Sequence, residues 1–161
     1  MEQVERLYGL LDQELDVCGE LGGVLRTEQE AVVHFRAETI LHCLEQRSVL
    51  QDRLAQLAEE RREVVLSLAA GHATATDRVS DLLPHLPLGP RAGVRSRMRA
   101  VRAALLEARG LERQNTILAR STLDHVEDVL QALRTLVPGA RYGADASLTL
   151  PTAASSLSQR A

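Results

Sequence analysis

The side chains able to hold a metal or attack a substrate are few: Cys18, Cys43, His34, His42, His72, His85 and His125. None stands at a ligand spacing such as Cys-x-x-Cys or His-Glu-x-x-His. His42 and Cys43 are adjacent, which on a helix turns them about 100° apart, so they form no nucleophile–base pair. In an antiparallel hairpin turning near residue 36, Cys18 lies opposite roughly residue 54 and does not meet Cys43. Gly19-x-x-Gly22-Gly23 sits inside helical periodicity, away from the strand–turn–helix context of a phosphate-cradling loop. The expectation is a protein that is no enzyme and has no metal and no cofactor.

Binding is the remaining chemistry, and three groups of residues could do it. Asn115 interrupts an apolar seam; a buried amide there fixes helix register or meets a partner's polar group. Arg91, Arg95, Arg97, Arg99, Arg102, Arg109 and Arg113 face only Glu107 and Glu112. Such a helix grips phosphates, lies beside an acidic helix, or is solvated. No aromatic residues interleave the arginines for base stacking, and the net charge of −3 gives no strong pull toward nucleic acid or membrane. The third group is apolar: beside a seam at Leu118, Val129, Leu133 and Leu136 runs a second stripe of Ala119, Leu123, Val126, Leu130 and Val137. Two stripes make a wider apolar arc than one neighbouring hairpin needs. A fourth helix, a second protomer or a foreign helix must cover the surplus.

The elements that position these groups are helical. Val4, Leu7, Leu11, Leu15, Cys18, Leu21, Leu25 and Val32 make the seam of a helix over 2–34, with Glu28 as a polar interruption and a softening expected at Gly22-Gly23. After a turn at Phe35-Arg36-Ala37, a second helix over 38–69 carries Ile40, Leu44, Leu50, Leu54, Leu57, Val64 and Leu68, with Arg47 and Arg61 at seam edges. Two long helices joined by a short turn pack antiparallel. One or two helical turns are expected over 75–83, where Thr74 and Asp77 are spaced like a capping box. Pro84, Pro87 and Pro90 should keep the next segment extended, with its leucines over the end of the bundle.

Pro90 then opens a third helix running to Leu136, with Val94, Met98, Val101, Leu105, Ala108 and Leu111 on its seam and Gly110 as the single interior breaker. At roughly 45 residues it would span roughly 70 Å, too long for a compact globule. The fold expected is all-α: a long antiparallel hairpin packed with a long third helix, as a three- or four-helix coiled-coil-like bundle. Residues 1–137 would form that domain. Residues 138–161, rich in Ser, Thr, Ala and Gly, would form a flexible tail. Aromatic residues are limited to Tyr8, Phe35 and Tyr142, which suits packed helices better than a catalytic pocket. All nineteen basic residues are arginine. The charged start of the chain lacks the apolar core of a signal peptide, and no apolar run reaches the ~18 residues of a span. A cytoplasmic protein with reduced cysteines is therefore expected.

Four stretches together resemble the FlgN family of flagellar type III export chaperones. They are Thr27-Glu28-Gln29-Glu30-Ala31, Arg47-Ser48-Val49-Leu50, Leu111-Glu112-Arg113-Gln114-Asn115-Thr116-Ile117-Leu118, and the tag Tyr142-Gly143-Ala144-Asp145 after the last helix. Glu112, Ala146 and Arg47 depart from the family's asparagine, glycine and lysine. The resemblance implies a chaperone of hook–filament junction proteins of the FlgK and FlgL type. It would hold their C-terminal helices, prevent premature assembly and deliver them to the export gate protein, FlhA. It also implies that Leu118, Ala119, Leu123, Val126, Leu130, Leu133 and Val137 bind the client. Tyr142, Gly143 and Asp145 would dock the gate, and Asn115 would be structural. The rival reading is a homomeric coiled-coil scaffold whose second stripe is its own dimer interface. A weaker one is an RNA-binding adaptor using Arg95, Arg99 and Arg102.

Overall fold

The structure is a computed structural model that describes residues 2–72 and 74–136, together with the backbone of 141–142 and 148–149. Helix α1 spans Glu2–Val33, α2 Ala37–Gly71, α3 Val79–Leu82 and α4 Leu88–Leu136. The all-α expectation holds, and the two hairpin helices and the long helix fall within two residues of their expected ends. α1 runs through Gly22-Gly23 without a break. Two compact units divide the chain, Met1–Ala119 and Arg120–Ala161, with the boundary inside α4.

The hairpin turn has a simple backbone cause. Arg36 N–H donates to Ala31 O at 2.9 Å and Phe35 N–H to Val32 O at 3.2 Å. These are the paired bonds of a Schellman cap, which needs a left-handed residue between the helix and the turn. Phe35 occupies that position at φ 54°, where glycine is the usual choice. The chain reverses there, and α1 and α2 pack antiparallel, bringing Glu28 to Arg47 and Glu14 to Arg61. Within the first unit α4 runs parallel to α1: Tyr8 hydroxyl donates to Pro90 O at 3.0 Å, Arg97 meets Asp12, and Asn115 reaches Leu25. Gly93 lets Tyr8 approach. A Cβ there would lie 2.8 Å from the Tyr8 ring carbon Cζ, inside contact distance.

The core follows the expected seams of α1 and of α4 up to Ala108. On α2 only Leu57 and Val64 of the expected seam are buried; Leu44 is exposed, and Cys43, Val65 and Ala69 are buried in its place. Leu7, Leu10, Leu11, Leu57, Val64, Val65, Leu82, Leu86, Val94 and Val101 form the main cluster, and Leu21, Leu25 and Ala108 a second one nearer the turn. Each fully buried aliphatic side chain contributes about 1.5–3 kcal/mol, so these clusters hold the three helices together, with Tyr8 packed against the main one. The connector differs from expectation in two ways. Leu83–His85 forms a 3₁₀ turn in place of extended chain, and α4 already begins at Leu88, because Pro84 and Pro90 both sit where a first helical turn tolerates proline. The expected capping box does not form: Thr74 Oγ1 bonds His72 O and Asp77 bonds Arg62. α3 instead starts after Thr76, whose hydroxyl accepts from the Arg78 N–H at 3.1 Å. Of the connector's leucines, Leu86 is buried and closes the core end beside Leu82, whereas Leu88 is 79% exposed and does not. Beyond α4, β1 (Arg141–Tyr142) pairs antiparallel with β2 (Leu148–Thr149).

Candidate functional site: an apolar face on the long helix

Inside the first unit, the polar side chains that point inward are consumed by internal pairing. Glu14 and Glu28, two heptads apart on α1, face Arg61 and Arg47, two heptads apart on α2. Arg61 Nε lies 3.1 Å from Glu14 Oε1, an ion pair without hydrogen-bond alignment. Burial raises the Glu14 carboxyl above its ordinary value, and the Arg61 charge offsets only part of that shift. Glu28 is a three-helix junction: it accepts from Arg47 of α2 at 3.4 Å and from Asn115 Nδ2 of α4 at 3.2 Å. Asn115 Nδ2 also donates to Leu25 O at 2.8 Å, while its buried Oδ1 has no protein partner. This junction fixes the rotation of α4 about its own axis, since a slip of one residue would strand a buried carboxylate and a buried amide.

The cysteines are inert. Both are buried and free, and burial, aided by Glu14 beside Cys18 and Glu28 beside Cys43, pushes each thiol up. Among the described residues no three His, Cys, Asp or Glu side chains cluster as metal ligands, and no helix is long and apolar enough to cross a membrane. Of the arginines at the start of α4, Arg97 makes a two-oxygen pair with Asp12 at 2.8 and 3.0 Å and lies 4.3 Å over the Tyr8 ring. Arg91 bonds the carbonyls of Pro84 and Leu86. The reading that this basic helix lies beside α1 therefore holds for Arg97.

The apolar residues of the later α4 have a different environment. Leu118 and Ala119 are half-buried. In the second unit Leu123 is 63% exposed, Val126 37%, Val129 44% and Leu133 41%, with Leu130 half-buried. Leu123, Val126, Leu130 and Leu133 follow a 3–4–3 spacing, which aligns them on one helical face. Val137, Gly143 and Asp145 lie outside the described residues, and of Tyr142 only the backbone, in β1, is described. Glu14 was not among the residues singled out by pattern; its heptad relation to Glu28, matched by Arg47 and Arg61, is the signal that could have found it. The exposed Leu106 and Ile117 were likewise hidden by a search restricted to seams.

The described residues form an all-α bundle whose long helix keeps aliphatic side chains exposed on one face. The chain is a member of the FlgN family: the family model described as FlgN protein matches residues 1–149, nearly the whole sequence. No curated protein and no solved structure matches it. Membership carries the family's general role, that of a flagellar export chaperone, and the family is one of chaperones and not of enzymes.

Proposed function

We propose that this chain is a cytoplasmic chaperone for hook–filament junction proteins of the FlgK and FlgL type, which holds their C-terminal helices and delivers them to an FlhA-type export gate. The client would lie on Leu118, Ala119, Leu123, Val126, Leu130, Leu133 and Val137 as an amphipathic helix in an apolar face. The observation that supports this most is the exposure of Leu123, Val126 and Leu133 on one face of α4. Water-facing leucines in register are costly to leave uncovered, and covering one removes about 25 cal/mol per Å² of apolar surface from water. The test is binding of a FlgK-type C-terminal peptide to the full chain carrying Leu123→Asp with Leu130→Asp. Affinity should fall at least about tenfold, which is 1.4 kcal/mol; unchanged affinity would sink the assignment.

Gate docking falls to the tag Tyr142, Gly143 and Asp145. Tyr142→Ala should leave client affinity within about twofold and weaken binding to the gate protein's cytoplasmic domain by at least about tenfold. Loss of client binding instead would contradict the separation of the two sites. The same apolar spacing on the second stripe, Ala119, Leu123, Val126, Leu130 and Val137, also suits a homomeric coiled coil with that stripe as its dimer interface. Sedimentation separates the two readings: a tight dimer converted to a folded monomer by the double aspartate variant favours the scaffold.

A further inference from the structure

A second surface, on the first unit, is independent of the client reading. Along α4, Arg95, Arg99, Arg102, Leu106, Arg109 and Arg113 are all exposed and succeed one another in steps of four, three, four, three and four residues. They form one stripe about 27 Å long at 1.5 Å per residue. None of these five arginines has a carboxylate within 4.0 Å among the described residues. Leu106, in its middle, is 58% exposed. Along α2, Glu38, His42, Glu45, Val49, Asp52 and Gln56 are exposed in the same succession of steps. Glu38, Glu45 and Asp52 are equally without an ion-pair partner there, and Val49, at the same place as Leu106, is 67% exposed.

The middle of that stripe, His42, Glu45 and Val49, lines a groove. Between α1 and α2 lies a depression of about 590 Å³ lined by Val24, Val49 and Leu50, with Glu20, His42 and Glu45 at its rim. Its apolar floor and acidic rim fit a helix that carries one aliphatic side chain flanked by cations. The arginine stripe has that composition. With Leu106 set on Val49, the cations Arg102 and Arg109 fall opposite Glu45 and Asp52 whether the two helices run parallel or antiparallel.

We propose that the α1/α2 groove of one molecule receives the arginine stripe of α4 from a second copy of the same chain. The contact joins two different surfaces, so it is heterologous and grows with concentration unless the rotation between copies closes a ring. Its strength is largely the sum of several exposed ion pairs around one small apolar contact, so it is weak and screened by salt.

The test is sedimentation of the full chain at about 0.02 M and about 0.5 M salt, where the screening length falls from roughly 20 Å to under 5 Å. The average mass should rise with protein concentration at low salt and return to the monomer at high salt. Arg102→Glu with Arg109→Glu, and separately Glu45→Arg with Asp52→Arg, should each weaken association at least about tenfold, with helicity by circular dichroism unchanged. An equimolar mixture of the two variants should associate again, because each now offers the other a complementary stripe. A wild-type chain that stays monomeric at low salt, reversals without effect, or a mixture that does not recover would overturn the proposal.

Discussion

Glu14 and Glu28 carry charge into an apolar seam, and the bundle handles the two differently. Glu28 has two donors from two other helices, whereas Glu14 faces a single, poorly aligned arginine. The Glu14 carboxyl is accordingly raised, first by desolvation, with Arg61 opposing. The folded state therefore holds the Glu14 proton to a higher pH than the unfolded chain does. Its contribution to stability is greatest below the ordinary value of 4.5 and declines as pH rises through the raised value. Glu14→Gln should remove that decline: unfolding by urea across a pH series should show the variant gaining on the wild type as pH rises out of this window. A constant difference at every pH would mean that Glu14 does not titrate as its burial demands. At this scale the sequence was half legible. Glu28 and the two arginines stood out against the seam, but Glu14 sits between Leu11 and Cys18 at helical spacing, and its role appears only once Arg61 is brought across from α2.

At the scale of elements, the helices were legible because apolar residues recur every three or four positions over more than thirty residues. Their ends were less so, because caps depend on a few local bonds. Thr74 and Asp77 have the spacing of a capping box, yet Asp77 is drawn to Arg62, Thr76 accepts from the Arg78 N–H ahead of the helix, and α3 begins without a side-chain cap. The hairpin turn was placed correctly, but nothing in Phe35 announces a left-handed backbone. That conformation costs a non-glycine residue roughly 1–2 kcal/mol, and the exposed ring recovers little by packing. Phe35→Gly should therefore stabilise the hairpin by about 1 kcal/mol in urea unfolding, after the larger backbone entropy of glycine is subtracted. A loss of stability would show that the ring makes contacts that its exposure conceals. α4 differs along its length: Val94 to Ala108 is a buried seam, while Leu123 to Leu133 keeps the same spacing and stays largely exposed. Periodicity alone marks both as apolar faces; only the burial along the helix tells them apart.

At the scale of the whole molecule, the chain combines a bundle that pairs its own buried charges with a long helix that leaves aliphatic side chains exposed. The family match over residues 1–149 gives the chain the role of a flagellar export chaperone in general terms, and the proposed place of its client is that exposed aliphatic face. The all-α architecture was readable from the sequence. The arginines of the second surface stood out in the sequence as well, but their acidic counterpart on α2 did not, because such a stripe becomes notable only when the structure shows that it has no partner. The central claim concerns the uncovered leucines. Its most direct measurement is the affinity of the full chain for a FlgK-type C-terminal peptide, by calorimetry, with and without Leu123→Asp and Leu130→Asp. The account predicts a 1:1 complex weakened at least about tenfold in a variant that retains its helicity. An unaltered dissociation constant would contradict it.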